Sequence, residues 1–371
     1  MQITLRTDAS LQIGIGHVMR CLTLADALKA RGHDCHFICR AHDGHLVELI
    51  RAKGHAVTVL PTRHVEQPAV PCGRVEYASW LGVSQEQDAQ DTVAALAAYG
   101  RSSGRSVADW LIMDHYALDS RWESMVRSCN RHLMVIDDLA DREHLCDLLL
   151  DQTFGRQDSE YRPLVPQDCT VLCGSRYALL RPDFAEWRLR SLARRAEPEL
   201  RRLLISMGGV DSDNATGQVL EALQGEVLPA DCELTVVMGA SAPWLEEVRR
   251  QAVQMSRPTH VLVAVDDMAQ LMAESDLAIG AAGATSWERC CLGLPTIMVV
   301  LAENQRAVAR GLRDSGAAMV LDSPRELAAM LPVLLAGLRH RPDTLVGLSE
   351  RATNVTDGRG VAKVIDYLEL A

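Results

Sequence analysis

Hydrophobic residues along this chain follow two alternating patterns. Short apolar runs bounded by polar residues, such as MQITL near the start and HLMVI further on, are typical of buried strands. Between such runs, apolar residues recur every three or four positions, as Val18, Cys21, Leu22 and Ala25 do before Gly32. That spacing predicts an amphipathic helix, and glycine commonly follows a helix end. The pattern as a whole predicts strands and helices in regular alternation.

This alternation predicts parallel sheets joined by right-handed crossovers. It is interrupted by a polar, proline-bearing stretch over residues 61–82, whose role stays open, and by an Arg-, Glu- and Pro-rich stretch over 179–198. We interpret the second stretch as a helical connector between domains. The predicted fold class is therefore α/β, with two Rossmann-like, doubly wound domains facing each other across a cleft beyond the carboxyl ends of their strands.

Composition narrows the functional classes. With 371 residues, 48% of them hydrophobic, the chain is long enough for two buried cores. Its formal charge of −11 argues against a nucleic-acid partner, which needs a broad positive surface. The apolar runs fall short of the ~18 residues that span a bilayer, and the N-terminus lacks the pattern of an export signal. We expect a cytoplasmic protein that does not insert into a membrane.

A glycine-paired turn precedes the first predicted helix and is followed at once by His17. A nicotinamide-binding turn would have a third glycine at Met19 and an acidic residue near Arg40, so Gly14 and Gly16 indicate another ligand. In the first helical turn, the macrodipole disfavours the imidazolium, and a neutral histidine suits a general base. A partly buried histidine near a helix cap remains the structural alternative.

The second half of the chain has two candidate nucleotide-binding segments. Gly208 and Gly209 follow a predicted strand and precede Asn214 near a helix start, although a plain left-handed turn is an alternative. Residues 280–285 are small and allow a ligand close to the next helix start, which favours a diphosphate. Glu288, one turn into that helix, would accept hydrogen bonds from a ribose diol.

Other polar residues end the predicted strands. Asn304 and Gln305 follow a later strand of the second half and are candidates for a second contact with the same ligand. The backbone around 265–268 is suited to meet a flat base edge. In the first half, the segment 114–116 and Asp151 end apolar strands. His115 and Tyr116 are candidates to bind a sugar, with a structural strand end as the alternative.

Neither a metal nor a cofactor is expected. The acidic pairs 137–138 and 266–267 resemble metal ligands, but an aspartate just before a helix is usually an N-cap. The 11 cysteines are scattered and form no Cys-x-x-Cys motif, which is typical of buried thiols in a reducing compartment.

Several longer segments together resemble one enzyme family. They are RTDASLQIGIGHVMRCLTLADAL, WLGVSQEQDA, DWLIMDHYALD, YALLRPDF, ISMGGVDSDNAT and GATSWERCCLGLPTIMVVLAENQ, and they extend from Arg6 to about Gly360. The family is that of the UDP-2,4-diacetamido-2,4,6-trideoxy-β-L-altropyranose hydrolases of pseudaminic acid biosynthesis. The last segment is also similar to the lipid-linked N-acetylglucosaminyltransferase of peptidoglycan synthesis.

The wider resemblance implies the GT-B architecture, with the nucleotide in the C-terminal domain and the sugar toward the N-terminal one. The expected boundaries are 1–187 for the first domain, 188–199 for the connector and 200–345 for the second domain. The segment 346–371 follows, and its last helix is expected to cross back to the first domain.

The resemblance also implies roles for single residues. His17 is expected to be the base that activates water. The residues expected to bind the sugar are Asp8, Gly14, Gly16, Arg20, His115 and Tyr116. The residues expected to bind UDP are Gly208, Gly209, Asn214, Met238, Val265, Met268, Gly283, Thr285, Ser286, Glu288, Asn304 and Gln305.

We therefore predict an inverting hydrolase of a UDP-linked diacetamido-trideoxy sugar, a small-molecule substrate. One alternative is a GT-B glycosyltransferase that uses a UDP-N-acetylhexosamine-type donor. Another is a nucleotide-sugar-binding protein without turnover. The sugar's substituents and the oligomeric state stay open.

Overall fold

The computed structural model describes residues 1–62, 77–104, 107–240 and 242–370, which form two compact units. The first unit comprises Met1–Leu179 and the residues from Val361 onward, and the second comprises Leu180–Gly360. Most of the polar stretch 61–82, namely residues 63–76, lies outside the described residues. In the part of the chain that is described, no helix is both long and apolar enough to cross a membrane.

The first unit is built around a parallel sheet. Its strands are β1 (Gln2–Thr7), β2 (Asp34–Arg40), β3 (Ala56–Leu60), β4 (Ala108–Asp114), β5 (Asn130–Ile136), β6 (Leu148–Asp151) and β7 (Thr170–Cys173). They lie in the order β3-β2-β1-β4-β5-β6-β7. Its helices between these strands are α1 (Gly16–Ala30), α2 (Val47–Ala52), α3 (Gln85–Ser103) and α4 (Ser120–Val126).

Both faces of this sheet are covered, which explains why its strands read as continuous apolar runs. Ile112 of β4 belongs to the hydrophobic cluster on one face, while its neighbours Leu111 and Met113 belong to the cluster on the other. This is the two-residue alternation of a strand buried on both sides.

The second unit repeats the same design. Its strands are β8 (Arg202–Ser206), β9 (Glu233–Met238), β10 (Thr259–Val263), β11 (Leu277–Ala281), β12 (Thr296–Val299) and β13 (Met319–Leu321), in the order β10-β9-β8-β11-β12-β13. Its helices are α5 (Pro182–Arg194), α6 (Ala215–Ala222), α7 (Leu245–Gln254), α8 (Met268–Glu274), α9 (Thr285–Cys291), α10 (Arg306–Asp314), α11 (Leu327–His340) and α12 (Asp343–Thr353).

Two segments link the units in sequence. Helix α5 overlaps the predicted connector, but it packs within the second unit, where Ser191 donates to the Leu292 carbonyl (2.7 Å) and Arg188 to that of Thr353 (2.9 Å). The boundary by contacts thus falls at Leu179, earlier than the predicted connector. The last helix, α13 (Gly360–Leu370), contributes Val364 to the core of the first unit.

The strand orders locate the candidate sites. In the first sheet the order reverses between β1 and β4, and in the second it reverses between β8 and β11. In open α/β sheets, ligands bind beyond the carboxyl ends of the strands at this reversal, the switch point. The fold therefore supplies one switch point in each unit.

Candidate functional site

The turn after β1 places His17 at the switch point of the first unit. The Ser10 hydroxyl accepts from the amide of Ile13 (2.9 Å), and the Ser10 carbonyl accepts from the amide of Gly14 (2.8 Å). Gly14 has a φ of +80°, a left-handed conformation that glycine adopts without steric cost. Helix α1 then begins at Gly16, so His17 lies in its first turn.

The imidazole of His17 faces a buried carboxylate at the end of β4. His17 Nδ1 lies 2.6 Å from Asp114 Oδ1. Arg20 donates two hydrogen bonds to the same carboxylate, from Nε (2.6 Å) and from Nη2 (2.7 Å). Burial opposes the charged form of Asp114, but Arg20 and His17 outweigh it and hold the pKa of that carboxyl well below its usual range. The carboxylate places the proton of a neutral His17 on Nδ1, which leaves Nε2 with a lone pair.

Tyr116 completes the surroundings of His17. Its ring meets the imidazole edge-on, with 4.6 Å between the ring centroids, and stacks near Trp80 at 5.8 Å. The Tyr116 hydroxyl donates to Asp138, which also accepts from Arg20 Nη1 (3.0 Å). The structure thus brings together three of the predicted residues, His17, Arg20 and Tyr116.

Asp8 and His115 form a different cluster beyond β1 and β4. His115 Nε2 lies 3.5 Å and His42 Nε2 lies 3.7 Å from Asp8 Oδ2, while Asp8 Oδ1 accepts from Arg6 Nη1 (2.6 Å) and from the amide of Arg40 (2.7 Å). Burial lowers the pKa of His115 to about 4, so this imidazole is neutral at pH 7. Asp8 has no exposed surface. Its hydrogen bonds to Arg6 and to the Arg40 amide stabilise this edge of the sheet.

The acidic pair 137–138 has structural partners, whereas the side chain of Asp267, just before α8, makes no capping hydrogen bond. Asp137 accepts from the amides of Leu139 (3.2 Å) and Ala140 (3.0 Å) and pairs with Arg142 (2.8 Å). Among the residues that the structure describes, no group of three or more histidine, cysteine or acidic side chains is placed to hold a metal ion. Burial raises the pKa of Asp151 to about 6, and Asp138 adds to the shift.

In the second unit, the loop after β8 has two parts. Gly208 has a φ of +95°. The Gly209 carbonyl packs closely on Gly239, so that a side chain at position 239 would clash with it. Further on, Asp211 and Asn214 accept from the first amides of α6, with Asn214 Oδ1 at 3.0 Å from the Gly217 amide. The start of α6 is thus satisfied internally, which leaves the glycines as the part of this loop open to a ligand.

The predicted UDP-binding residues of the second unit share one edge of the sheet. They lie at or beyond the carboxyl ends of β8, β9, β10, β11 and β12. Met238 is buried at the end of β9, whereas Val265 and Met268 after β10 are half-buried. Asn304 and Gln305 lie in a short 3₁₀ turn after β12, where the Gln305 side chain accepts from the Leu301 amide (2.9 Å).

The segment after β11 combines small residues with an unusual carboxyl group. Gly283 has open space where a side chain would project, and the hydroxyls of Thr285 and Ser286 both accept from Arg289, at 3.1 and 3.3 Å. Burial raises the pKa of Glu288 to about 7, and the positive charges of Arg181 and Arg289 only partly offset that effect. Glu288 is therefore balanced between its two protonation states near neutral pH.

Sequence reasoning missed the partners of the predicted residues. It treated Asp114 as an unassigned strand end, considered Asp138 only as a metal ligand, and gave no role to Arg289 or Trp80. Their position at strand ends was visible, but the spatial pairing was not, because His17 and Asp114 are 97 positions apart.

Residues 203–359 match the glycosyltransferase family 28 C-terminal domain. A Campylobacter jejuni UDP-2,4-diacetamido-2,4,6-trideoxy-β-L-altropyranose hydrolase is 23% identical over 85% of this chain and 97% of its own length. An uncharacterized protein of Methanocaldococcus jannaschii is also 23% identical over 82% of this chain, and the aligned region spans 57% of that relative.

Solved structures share the fold. MurG of Acinetobacter baumannii superposes with a TM-score of 0.63 at 14% identity, covering 100% of this chain and 99% of that one. WaaG, a glycosyltransferase of lipopolysaccharide biosynthesis, gives a TM-score of 0.52 at 16% identity over 99% of both chains. The predicted GT-B fold of two parallel-sheet α/β domains is confirmed.

Proposed function

We propose that this chain hydrolyses a UDP-linked diacetamido-trideoxy sugar and releases UDP and the free sugar with inversion. The observation that carries the proposal is the contact of His17 with the buried Asp114 at the switch point of the first unit (2.6 Å). The similarity to the Campylobacter jejuni hydrolase, which extends over 85% of the chain, supports the choice of substrate.

The His17–Asp114 pair has the chemistry of a general base. Asp114 accepts a hydrogen bond from Nδ1–H, so that Nε2 is the nitrogen that takes a proton from water. As the imidazolium forms, the adjacent carboxylate stabilises its charge. The water oxygen bonds to the anomeric carbon on the face opposite UDP, the C–O bond to UDP breaks, and its electron pair passes to the diphosphate oxygen.

The second unit would hold the UDP moiety. Its predicted contacts lie along the carboxyl edge of the sheet, with glycines at positions 208, 209 and 283 where a ligand must approach the backbone closely. Glu288 would accept hydrogen bonds from the ribose hydroxyls. Stabilising the departing diphosphate is the task of this unit, because a general base alone supplies only ~10²–10⁴-fold.

His17→Asn tests the proposal. Since asparagine cannot accept a proton from water, turnover should fall by at least ~10²-fold, while affinity for UDP stays within about twofold. UDP release from the candidate UDP-sugar without any acceptor measures turnover, and calorimetry measures affinity. His45→Asn, an exposed histidine of the same unit, is the matched control and should retain full activity. Equal loss of turnover and UDP affinity in His17→Asn would contradict the role of base.

A transferase is the second candidate, and the match to a glycosyltransferase family 28 domain favours it. It would use the same UDP-sugar chemistry with a carbohydrate or lipid acceptor in place of water. Anomer-resolved NMR of the products separates the two. Free sugar of inverted configuration without any acceptor supports the hydrolase, and product only when an acceptor is added supports the transferase.

A further inference from the structure

Arg289 is a buried cation at the switch point of the second unit. Only 2% of the residue is exposed. Nη2 donates to the Ala281 carbonyl (2.7 Å) and Nη1 to the Thr285 hydroxyl (3.1 Å), and both acceptors are neutral. Among the described residues no carboxylate forms an ion pair with it, although Glu288, the preceding residue of the same helix, favours its charge.

This arrangement differs from that of the buried arginines of the first unit. In the first unit, Arg6 pairs with Asp88 and Arg20 with Asp114, each at 2.6 Å. A buried charge without a counter-charge is costly, because burial removes its hydration. Burial accordingly lowers the pKa of Arg289 to about 10, which still leaves the guanidinium charged at pH 7.

The position of the Arg289 guanidinium indicates where a negatively charged ligand would lie. A Cβ added to Gly280 would lie 2.6 Å from Arg289 Nη1 and 2.9 Å from the Ser206 carbonyl. Nη1 therefore lies beside Gly280 of β11, which is paired with Ser206 at the end of β8, and these two strands flank the switch point. That is the edge where a ligand of this fold binds.

The hydrogen bond from Arg289 to Thr285 orients the Thr285 hydroxyl. The Thr285 hydroxyl oxygen accepts a hydrogen bond from Arg289, so its own O–H is available to donate elsewhere. Thr285 is half-buried, whereas Arg289 is not accessible. Arg289 thus reaches a ligand through Thr285 and through its electrostatic field rather than by contact.

We propose that Arg289 is a positioning residue for an anionic ligand, the diphosphate of a nucleoside diphosphate. The ligand supplies the negative charge that the described protein residues do not, and Arg289 orients the Thr285 hydroxyl toward it. This inference rests on the proposed function. In that reaction, Arg289 would stabilise the diphosphate as it leaves. Donors and charges already in place before reaction stabilise developing negative charge with little reorganisation.

Binding of UDP, UMP and uridine to the full chain tests the inference by calorimetry. Arg289→Met should weaken UDP binding by about tenfold or more and uridine binding by less than about twofold, with UMP between them, since a charged hydrogen-bond partner contributes on this scale. Arg289→Lys keeps the charge but not the fork of donors, and it should lose part of the same UDP selectivity.

Arg195 offers a matched control in the same unit. It is also buried, donates to the backbone carbonyls of Ser275 and Met272, and has its pKa lowered to about 10 by burial. Arg195→Met should leave the ratio of UDP to uridine affinity unchanged. A loss of UDP selectivity equal to that of Arg289→Met would show a general effect of removing buried charge and would overturn the inference.

Two further outcomes separate the inference from the proposed function. If the unaltered chain binds UDP and Arg289→Met weakens UDP and uridine equally, the role of Arg289 is structural and only the inference fails. If the unaltered chain binds no UDP, the proposed function fails together with it. Should Arg289→Met not fold, Arg289→Lys decides, because an unchanged UDP-to-uridine ratio in that variant overturns the inference.

Discussion

The two units share one topology but treat charge at their switch points in opposite ways. In the first unit, Arg20 is matched by Asp114 and Asp138, and the imidazole of His17 lies against the same carboxylate. In the second, Arg289 has only neutral acceptors among the described residues. A site whose cation is paired with carboxylates is suited to accepting a proton at the imidazole, whereas a site with an unpaired positive charge is suited to holding an anion. The fold supplies the place, and a few side chains at the strand ends determine its chemistry.

The largest expected effect is on turnover, through the His17–Asp114 pair of the first unit. Asp114→Asn should lower turnover by ~10²–10⁴-fold, because the amide cannot stabilise the imidazolium of His17, while UDP affinity stays unchanged. Steady-state kinetics and calorimetry measure the two quantities. Asp109→Asn alters a carboxylate of the same strand that accepts from the Gln2 amide (2.7 Å), and this control should keep its turnover. An Asp114→Asn enzyme with unchanged turnover would contradict the role of the first unit in proton transfer.

The second effect concerns stability. Arg20→Met leaves Asp114 buried without its strongest partner and should lower the free energy of unfolding by about 3–5 kcal/mol. Arg289→Met removes a charge that has no ion pair with any residue the structure describes, so without ligand the variant should lose clearly less stability. Urea denaturation of both variants measures the difference. Equal losses would indicate that Arg289 has an internal counter-charge after all.

A third prediction uses pH to examine the second unit. Only the ionised form of Glu288 accepts two hydrogen bonds from a ribose diol, and burial raises the pKa of this group to about 7. UDP affinity should therefore fall as the pH drops through 7, by at most about tenfold per pH unit. Calorimetry from pH 5.5 to 8.5 measures the slope, and 2′-deoxy-UDP is the control ligand with the weaker dependence. Glu288→Gln should remove this component, and a variant with an unaltered slope would exclude Glu288 as its source.

The smallest effect concerns the turn that positions His17. Gly14→Ala places a Cβ on a residue with a φ of +80° and should cost about 1–2 kcal/mol of stability. Gly16→Ala is the matched control, because Gly16 begins α1 without a positive φ and a Cβ there would meet nothing within 4 Å. Thermal unfolding compares the two, and equal shifts would contradict the conformational argument.

Much of this architecture follows from local patterns. Strand and helix alternation predicts the parallel sheets, and the position of His17 after a glycine turn predicts its place in the first turn of α1. The switch points do not follow, because periodicity does not reveal that β1 lies beside β4. The pairing of His17 with Asp114 depends on that neighbourhood, and the lack of a carboxylate partner for Arg289 among the described residues depends on where the surrounding acids lie.

The segment expected to connect the domains shows another limit. Its Arg- and Glu-rich composition is typical of an exposed linker, yet Arg188 donates to backbone carbonyls at the end of α12 and beyond (2.9 and 3.0 Å). Arginine combines a long apolar stem with several donors, so it can bind otherwise unsatisfied carbonyls between packed helices. Composition alone does not distinguish that role from solvent exposure.

The last helix has a consequence for the order of assembly. Val364, Ile365 and Leu368 belong to the same hydrophobic cluster as Leu5 and Phe37, and Trp110 donates to the Leu368 carbonyl (3.1 Å). A ribosome synthesises these residues after the whole of 180–360. The first unit is therefore the later of the two to gain all of its core side chains, and the second unit, which lies between the two parts of the first in sequence, has the earlier opportunity to fold.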